Sequence, residues 1–87
     1  MRFVFDPAKS EANRRKHGFG LDSFNGFDRE PVTIEDKRRN YREERYRSFG
    51  RIDGLGYMIA FTISQQTVRL ISFRRAHEKE MKRYEKS

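Results

Sequence analysis

The apolar positions divide the chain into two halves with different periods. Phe3-Val4-Phe5 is a short continuous apolar run and reads as a strand. Asp6 then offers a side-chain oxygen as a helix cap, Pro7 suits the first helical position, and Gly18 suits the position just past the end. These signals predict a helix over about residues 7–17. Its apolar contacts are Ala8 and Ala12, so it lies on the surface. Lys9, Asn13, Lys16 and His17 then fall roughly one turn apart on neighbouring faces. Leu21, Phe24 and Phe27 recur every three residues and predict a short second helix, weakened by Asn25-Gly26.

After Pro31 the period shortens. VTIED (32–36) reads as a strand, and residues 37–47, KRRNYREERYR, carry six basic residues, two glutamates and two tyrosines. Read with period two, Tyr41, Glu43, Arg45 and Arg47 share one face, and Arg42, Glu44 and Tyr46 the other. Asp53-Gly54 marks a turn, YMIAFTI (57–63) and TVRLISF (67–73) are β-branched and aromatic strands, and SQQ joins them as a hairpin loop. Arg69, between Val68 and Leu70, points away from the core. RRAHEKEMKRYEKS closes the chain as a basic helix with His77, Met81 and Tyr84 as its inward stripe. The order predicts one small α+β domain over 1–87: a short N-terminal strand, two helices, an antiparallel sheet of three to four strands, and a C-terminal helix. The helices are expected on one face or end of the meander.

Composition narrows the function. Only 34% of residues are hydrophobic and 38% are charged, so eight Phe and four Tyr must supply most of a modest core. The net charge of +7 points to a polyanionic partner, with nucleic acid the default and plain solubility the bland alternative. There is no cysteine, which removes disulfides, thiolate metal sites and a Cys nucleophile. MRFVFDP is too short an apolar stretch for a signal peptide, and the longest apolar run, YMIAF, is far below a membrane span. A cytoplasmic protein without membrane contact is expected. Two histidines sixty residues apart, with no carboxylate at ligand spacing, make no metal constellation, and no phosphate-binding glycine loop or G-x-S-x-G elbow is present. No metal and no cofactor are therefore predicted.

What remains is a set of Lys, Arg, Tyr, Glu and His, which can cleave RNA unaided. A base takes the proton of a 2′-OH, that oxygen attacks the adjacent phosphorus, cations hold the phosphoryl oxygens, and an acid protonates the departing 5′-oxygen. Arg suits the phosphate because its planar fork meets two oxygens at once. Each candidate has a plainer reading. His17 is either catalytic or a cation favoured at a helix C-terminus. His77 is more simply a packed residue, and 37–47 a solvated basic face whose tyrosines stack on bases or pack beneath the arginines. Arg74 and Arg75, where a core strand meets a helix, are harder to dismiss.

Three blocks together resemble a known family: FDPAKSEANRRKHGF, DKRRNYREERY and VRLISFRRAHEKEMKRYE, in this order and spacing. Over nearly its whole length the chain resembles the BrnT-type toxins of bacterial type II toxin–antitoxin modules. The resemblance implies a RelE-like fold, metal-independent endoribonuclease activity on mRNA that inhibits translation, and neutralisation by a ribbon-helix-helix antitoxin. Operator DNA is expected to be met only through that antitoxin. It also implies the site. Lys9, Lys16, His17, Arg45, Arg74, Glu80 and Tyr84 are the expected catalytic residues, and Asn13, Arg39, Tyr41 and Arg69 the expected RNA contacts, to which the strand–helix junction adds Arg75. Gly18, Asp36, Glu43, Ser72 and Ala76 belong to the same matched blocks. Arg42 stands where the family usually has glycine, and His77 occupies a variable position. The alternative from another class is a non-catalytic basic nucleic-acid-binding module.

Overall fold

The computed structural model describes residues 2–85. Strand β1 (Arg2–Val4) leads into helix α1 (Pro7–His17), then β2 (Val32–Glu35), β3 (Arg45–Ile52), β4 (Leu55–Ser64), β5 (Thr67–Arg75) and helix α2 (Glu78–Glu85). The strands form one sheet in the order β1-β5-β4-β3-β2. β2 to β5 make an antiparallel meander, while β1 runs parallel to β5 and pairs Arg2–Val4 with Thr67–Arg69. The sheet is therefore mixed and five-stranded rather than an antiparallel sheet of three to four. Pairing over sixty residues leaves no local sequence mark.

The turns follow from chain chemistry. Asp53 and Gly54 both adopt positive φ (52° and 80°), the twist that suits a two-residue hairpin. Gln65 and Gln66 do the same at 50° and 65° without a glycine. Helix α1 begins where Asp6 Oδ1 accepts the Ala8 N–H at 2.9 Å and ends at Gly18 (φ 93°), whose N–H reaches the Arg14 carbonyl at 2.8 Å. Both ends lie where the sequence places them.

Three expectations change. Leu21, Phe24 and Phe27 do not form a second helix: only Leu21–Ser23 makes a 3-10 turn, and the chain is extended by Phe24. Leu21 and the rings of Phe24 and Phe27 are drawn onto the sheet instead. Residues 36–44 are not strand, so the period-two pattern holds only from Arg45 onward. His77 is exposed and precedes α2, because that helix starts at Glu78; Met81 and Tyr84 alone of the expected stripe turn inward. Residues 86–87 of the expected helix lie outside the described residues.

The two sheet faces carry separate cores. On one, Leu21, Phe24, Ile59, Phe61, Val68, Leu70 and Phe73 pack together under the segment that follows α1. Beside this core lies an open apolar cavity of 540 Å³, lined in part by Phe3, Phe27 and Ile63. On the other face Phe49, Met58, Ala60, Ala76 and Met81 pack beneath α2. Arg51 fastens that helix by binding Glu78 and Glu85 together, at 2.8–3.0 Å. The helices are not on one side of the sheet, as the sequence suggests. Helix α1 has no apolar stripe and is held at the exposed edge of β5 by polar groups. There the Asn13 amide acts as a short strand: it accepts the Phe73 N–H at 3.0 Å and donates to the Phe73 and Phe19 carbonyls, each at 2.8 Å.

Candidate active site

Register on the α2 face sets the site. Antiparallel partners share a face, so three rows cross β3, β4 and β5: Arg45–Thr62–Arg69, Arg47–Ala60–Ser72 and Phe49–Met58–Arg74. Ile71 is the extra residue of a bulge in β5 between Ser72 and Leu70, and it turns toward the same core as Phe49. Helix α2 covers the Phe49 row. Beyond it the face carries three arginines, Arg45 and Arg47 on β3 and Arg69 on β5, with small side chains on β4 between them.

Helix α1 adds its cations from the β5 edge. A cavity of 230 Å³ is lined by Lys9, Ala12, Asn13, Lys16, His17, Ile71 and Ser72. It joins the first and last of the family-like blocks, which are over fifty residues apart in the chain. His17 is half-buried here, and its pKa is lowered from the ordinary imidazole value, first by burial and then by the charges of Lys16 and Arg74. It is neutral at physiological pH and so able to accept a proton.

Arg74 is held in place rather than free. Its Nη1 and Nη2 donate to Glu80 Oε1 and Oε2 at 3.0 and 2.9 Å, a two-pronged pair between β5 and α2. Glu80 also accepts the His77 backbone N–H at 3.3 Å. The Arg74 bonds hold the Glu80 carboxyl below its usual pKa, so it is ionised and orients Arg74. Tyr84 is committed to packing, its ring stacked on Phe49 with centroids 4.1 Å apart.

The middle block is arranged around Asp36. Its buried carboxylate accepts two side-chain bonds from Arg38 at 2.8 Å and a longer one from the Tyr41 hydroxyl at 3.3 Å. The Arg38 guanidinium holds Asp36 well below the usual carboxylate range. Tyr41 in turn lies beneath Arg45, whose guanidinium carbon is 4.0 Å from the ring centroid. Of the two readings for these tyrosines, packing beneath arginine describes Tyr41, whereas Tyr46 faces the other core and stacks on Phe61.

Of the expected residues, Lys9, Lys16, His17, Arg69, Arg74 and Glu80 gather at the α1 edge of this face or along β5. Arg45 lies on the same face but on β3. Arg75 lies over Tyr57 at 5.2 Å and donates to the Gly56 carbonyl, on the opposite face from Arg74. Arg39 and Glu43 are exposed in the 36–44 loop. Asn13 lines the cavity, but its amide is taken up by backbone. Arg47 was not singled out by sequence, yet it stands beside Arg45 with its Nε buried and without a partner. Its parity with the core residue Phe49 is the signal that could have found it.

Among the described residues no group of three or more metal-ligating side chains is arranged to hold an ion, and no helix is long and apolar enough to cross a membrane. A family model described as the ribonuclease toxin BrnT of type II toxin–antitoxin systems matches residues 5–80. Comparison with the curated proteins finds no match.

Proposed function

Because the chain belongs to the BrnT family of ribonuclease toxins, we propose that it is a metal-independent endoribonuclease that cleaves mRNA and stops translation. Membership of a type II system implies an antitoxin partner. We take that partner to be a ribbon-helix-helix protein, which brings the complex to operator DNA, and the site of action to be the cytoplasm. The fold is then a variant of the RelE-like ribonuclease architecture.

The observation that carries this reading is the cavity uniting Lys9, Lys16 and His17 with Ser72, under the charge of Arg74. Neutral His17 takes the 2′-OH proton. Arg74, aligned by Glu80, receives the charge growing on the phosphoryl oxygens, with Arg69 and Lys16 beside it. Lys9 lies about 12 Å from His17 along the helix axis. Its long side chain lines the same cavity and returns a proton to the departing 5′-oxygen.

Purified protein should cut single-stranded RNA in the presence of a chelator and leave 2′,3′-cyclic phosphate ends. Arg74→Ala should lower kcat/KM by about 100-fold or more, the scale of losing a charged transition-state contact. In cells its induction should no longer arrest growth. RNA that is bound but never cut, across pH and with ribosomes added, would sink the enzyme reading and leave a non-catalytic basic nucleic-acid-binding module.

A further inference from the structure

Ion pairing is uneven across the basic face. Arg14, Arg15, Lys37, Arg38, Arg51 and Arg74 each have a carboxylate within salt-bridge distance. Among the described residues Arg45 and Arg47 have none, and the Nε atoms of both are buried without an acceptor. These Nε groups are closed to solvent, so a ligand meets the two side chains through their Nη N–H edges, on which the described residues place no carboxylate. The Asp36 carboxylate does not serve. Asp36 feels the charge of Arg47, but its oxygens are engaged by Arg38 and Tyr41.

Both side chains are also braced. Arg45 lies over Tyr41 at 4.0 Å and Arg47 over Phe49 at 5.6 Å. A guanidinium that rests its flat face on a ring keeps its N–H edges for another partner. Phe49 is itself fixed by its stack with Tyr84, and Tyr41 by its bond to Asp36. The two arginines are two residues apart on one face of β3, about 7 Å along the strand. Arg69 and Arg74 stand two strands away on β5, roughly 10 Å across the sheet. Tyr41 belongs to the loop that follows β2 and bonds Asp36 just after that strand, so its brace ties Arg45 to the end of β2.

We propose that Arg45 and Arg47 form a second phosphate subsite on β3, which grips a backbone phosphodiester two linkages along the strand from the one cleaved beside α1. The proposal rests on the ribonuclease reading for its ligand. Its content is separate: the β3 arginines hold the strand in register, and the α1–β5 residues do the chemistry. Thr62 on β4 lies in the row of Arg45 and Arg69, between the two subsites.

The test uses uncleavable 2′-deoxy oligonucleotides carrying one or three phosphodiesters, with affinity followed by fluorescence anisotropy over a range of salt. Arg45→Gln/Arg47→Gln should weaken the three-phosphate ligand about tenfold or more, as expected for losing one charge-assisted contact. It should lower the salt slope by about 0.7, the counterion release of one phosphate on a single strand. Affinity for the one-phosphate ligand should change less than twofold. Arg45→Lys/Arg47→Lys keeps the charge, so it should retain the slope while losing part of the affinity. Arg14→Gln/Arg15→Gln removes the same charge from the exposed side of α1 and should not reproduce the pattern. A melting curve excludes unfolding of each variant. Equal losses on both ligands would place all four arginines on a single phosphate and overturn the proposal, as would no loss on either. Cleavage of RNA by the wild type is scored separately. Binding losses without any cleavage would keep the subsite and discard the ribonuclease reading.

Discussion

A protonated imidazole at the C-terminal end of a helix is favoured by the helix dipole, which would raise its pKa. His17 occupies that position, yet its pKa is lowered, first by burial and then by the Lys16 and Arg74 charges. Gly18 provides the cap through its own backbone, so the imidazole is not needed for that purpose. The sign has a consequence for stability. A histidine with a depressed folded pKa binds its proton more readily in the unfolded chain, so protonation favours unfolding. Stability from His17 is present above about pH 6.5, the unfolded value, and is lost as pH falls through the lower folded value. His17→Gln should remove that part of the acid sensitivity in urea melts between about pH 6.5 and pH 5. Over the same window, at fixed salt and saturating RNA, the wild-type cleavage rate should rise with pH. The limb should be absent in His17→Gln. If the limb persists in the variant, the base is another group.

At the scale of elements, legibility tracked how local the cause was. Helix α1 was readable because Asp6, Pro7 and Gly18 each act on the backbone within a turn of themselves. The hairpin at Asp53-Gly54 was readable for the same reason. The three-residue spacing of Leu21, Phe24 and Phe27 misled because it also arises when an extended segment drops rings onto a sheet. Arg45 and Arg47 sit in a run of six cations, and only the strand start, set by distant pairing with Thr62 and Ala60, separates them from Arg39 and Arg42. Asn13 looked like an RNA contact for want of the partner strand. Its amide bonds to Phe73 and Phe19 are what dock α1 on β5. Asn13→Asp would leave two buried carbonyls without donors and set a carboxylate against them, costing on the order of 3 kcal/mol. Thermal melting should therefore show a large loss for this variant. Reduced cleavage at an unchanged melting temperature would restore Asn13 to the RNA-binding set.

Taken as a whole, the molecule has two unlike faces: one aromatic, with an open apolar cavity, the other carrying Arg74 against α2 and Arg45, Arg47 and Arg69 beyond it. The charge surplus of seven is spread over a body only 31 × 27 × 25 Å. Most of its cations lie more than a Debye length, about 10 Å at 0.1 M salt, from some of the others, so salt weakens their mutual repulsion effectively. The attractive pairs are short, and Arg51, with 15% of its side chain exposed, is screened far less. Added salt should thus stabilise the free protein. Between about 50 and 200 mM the gain should be about 0.5 kcal/mol, or roughly 2–4 °C in melting temperature. RNA affinity must move the other way. With three or four phosphates held across the basic face, log affinity should fall with log salt at a slope of about −2 to −3. Parallel melts and binding titrations at matched salt decide this. A melting temperature that drops with salt would mean the Arg51 and Arg74 ion pairs outweigh the repulsion. A flat binding slope would mean the basic face does not meet a nucleic-acid backbone at all.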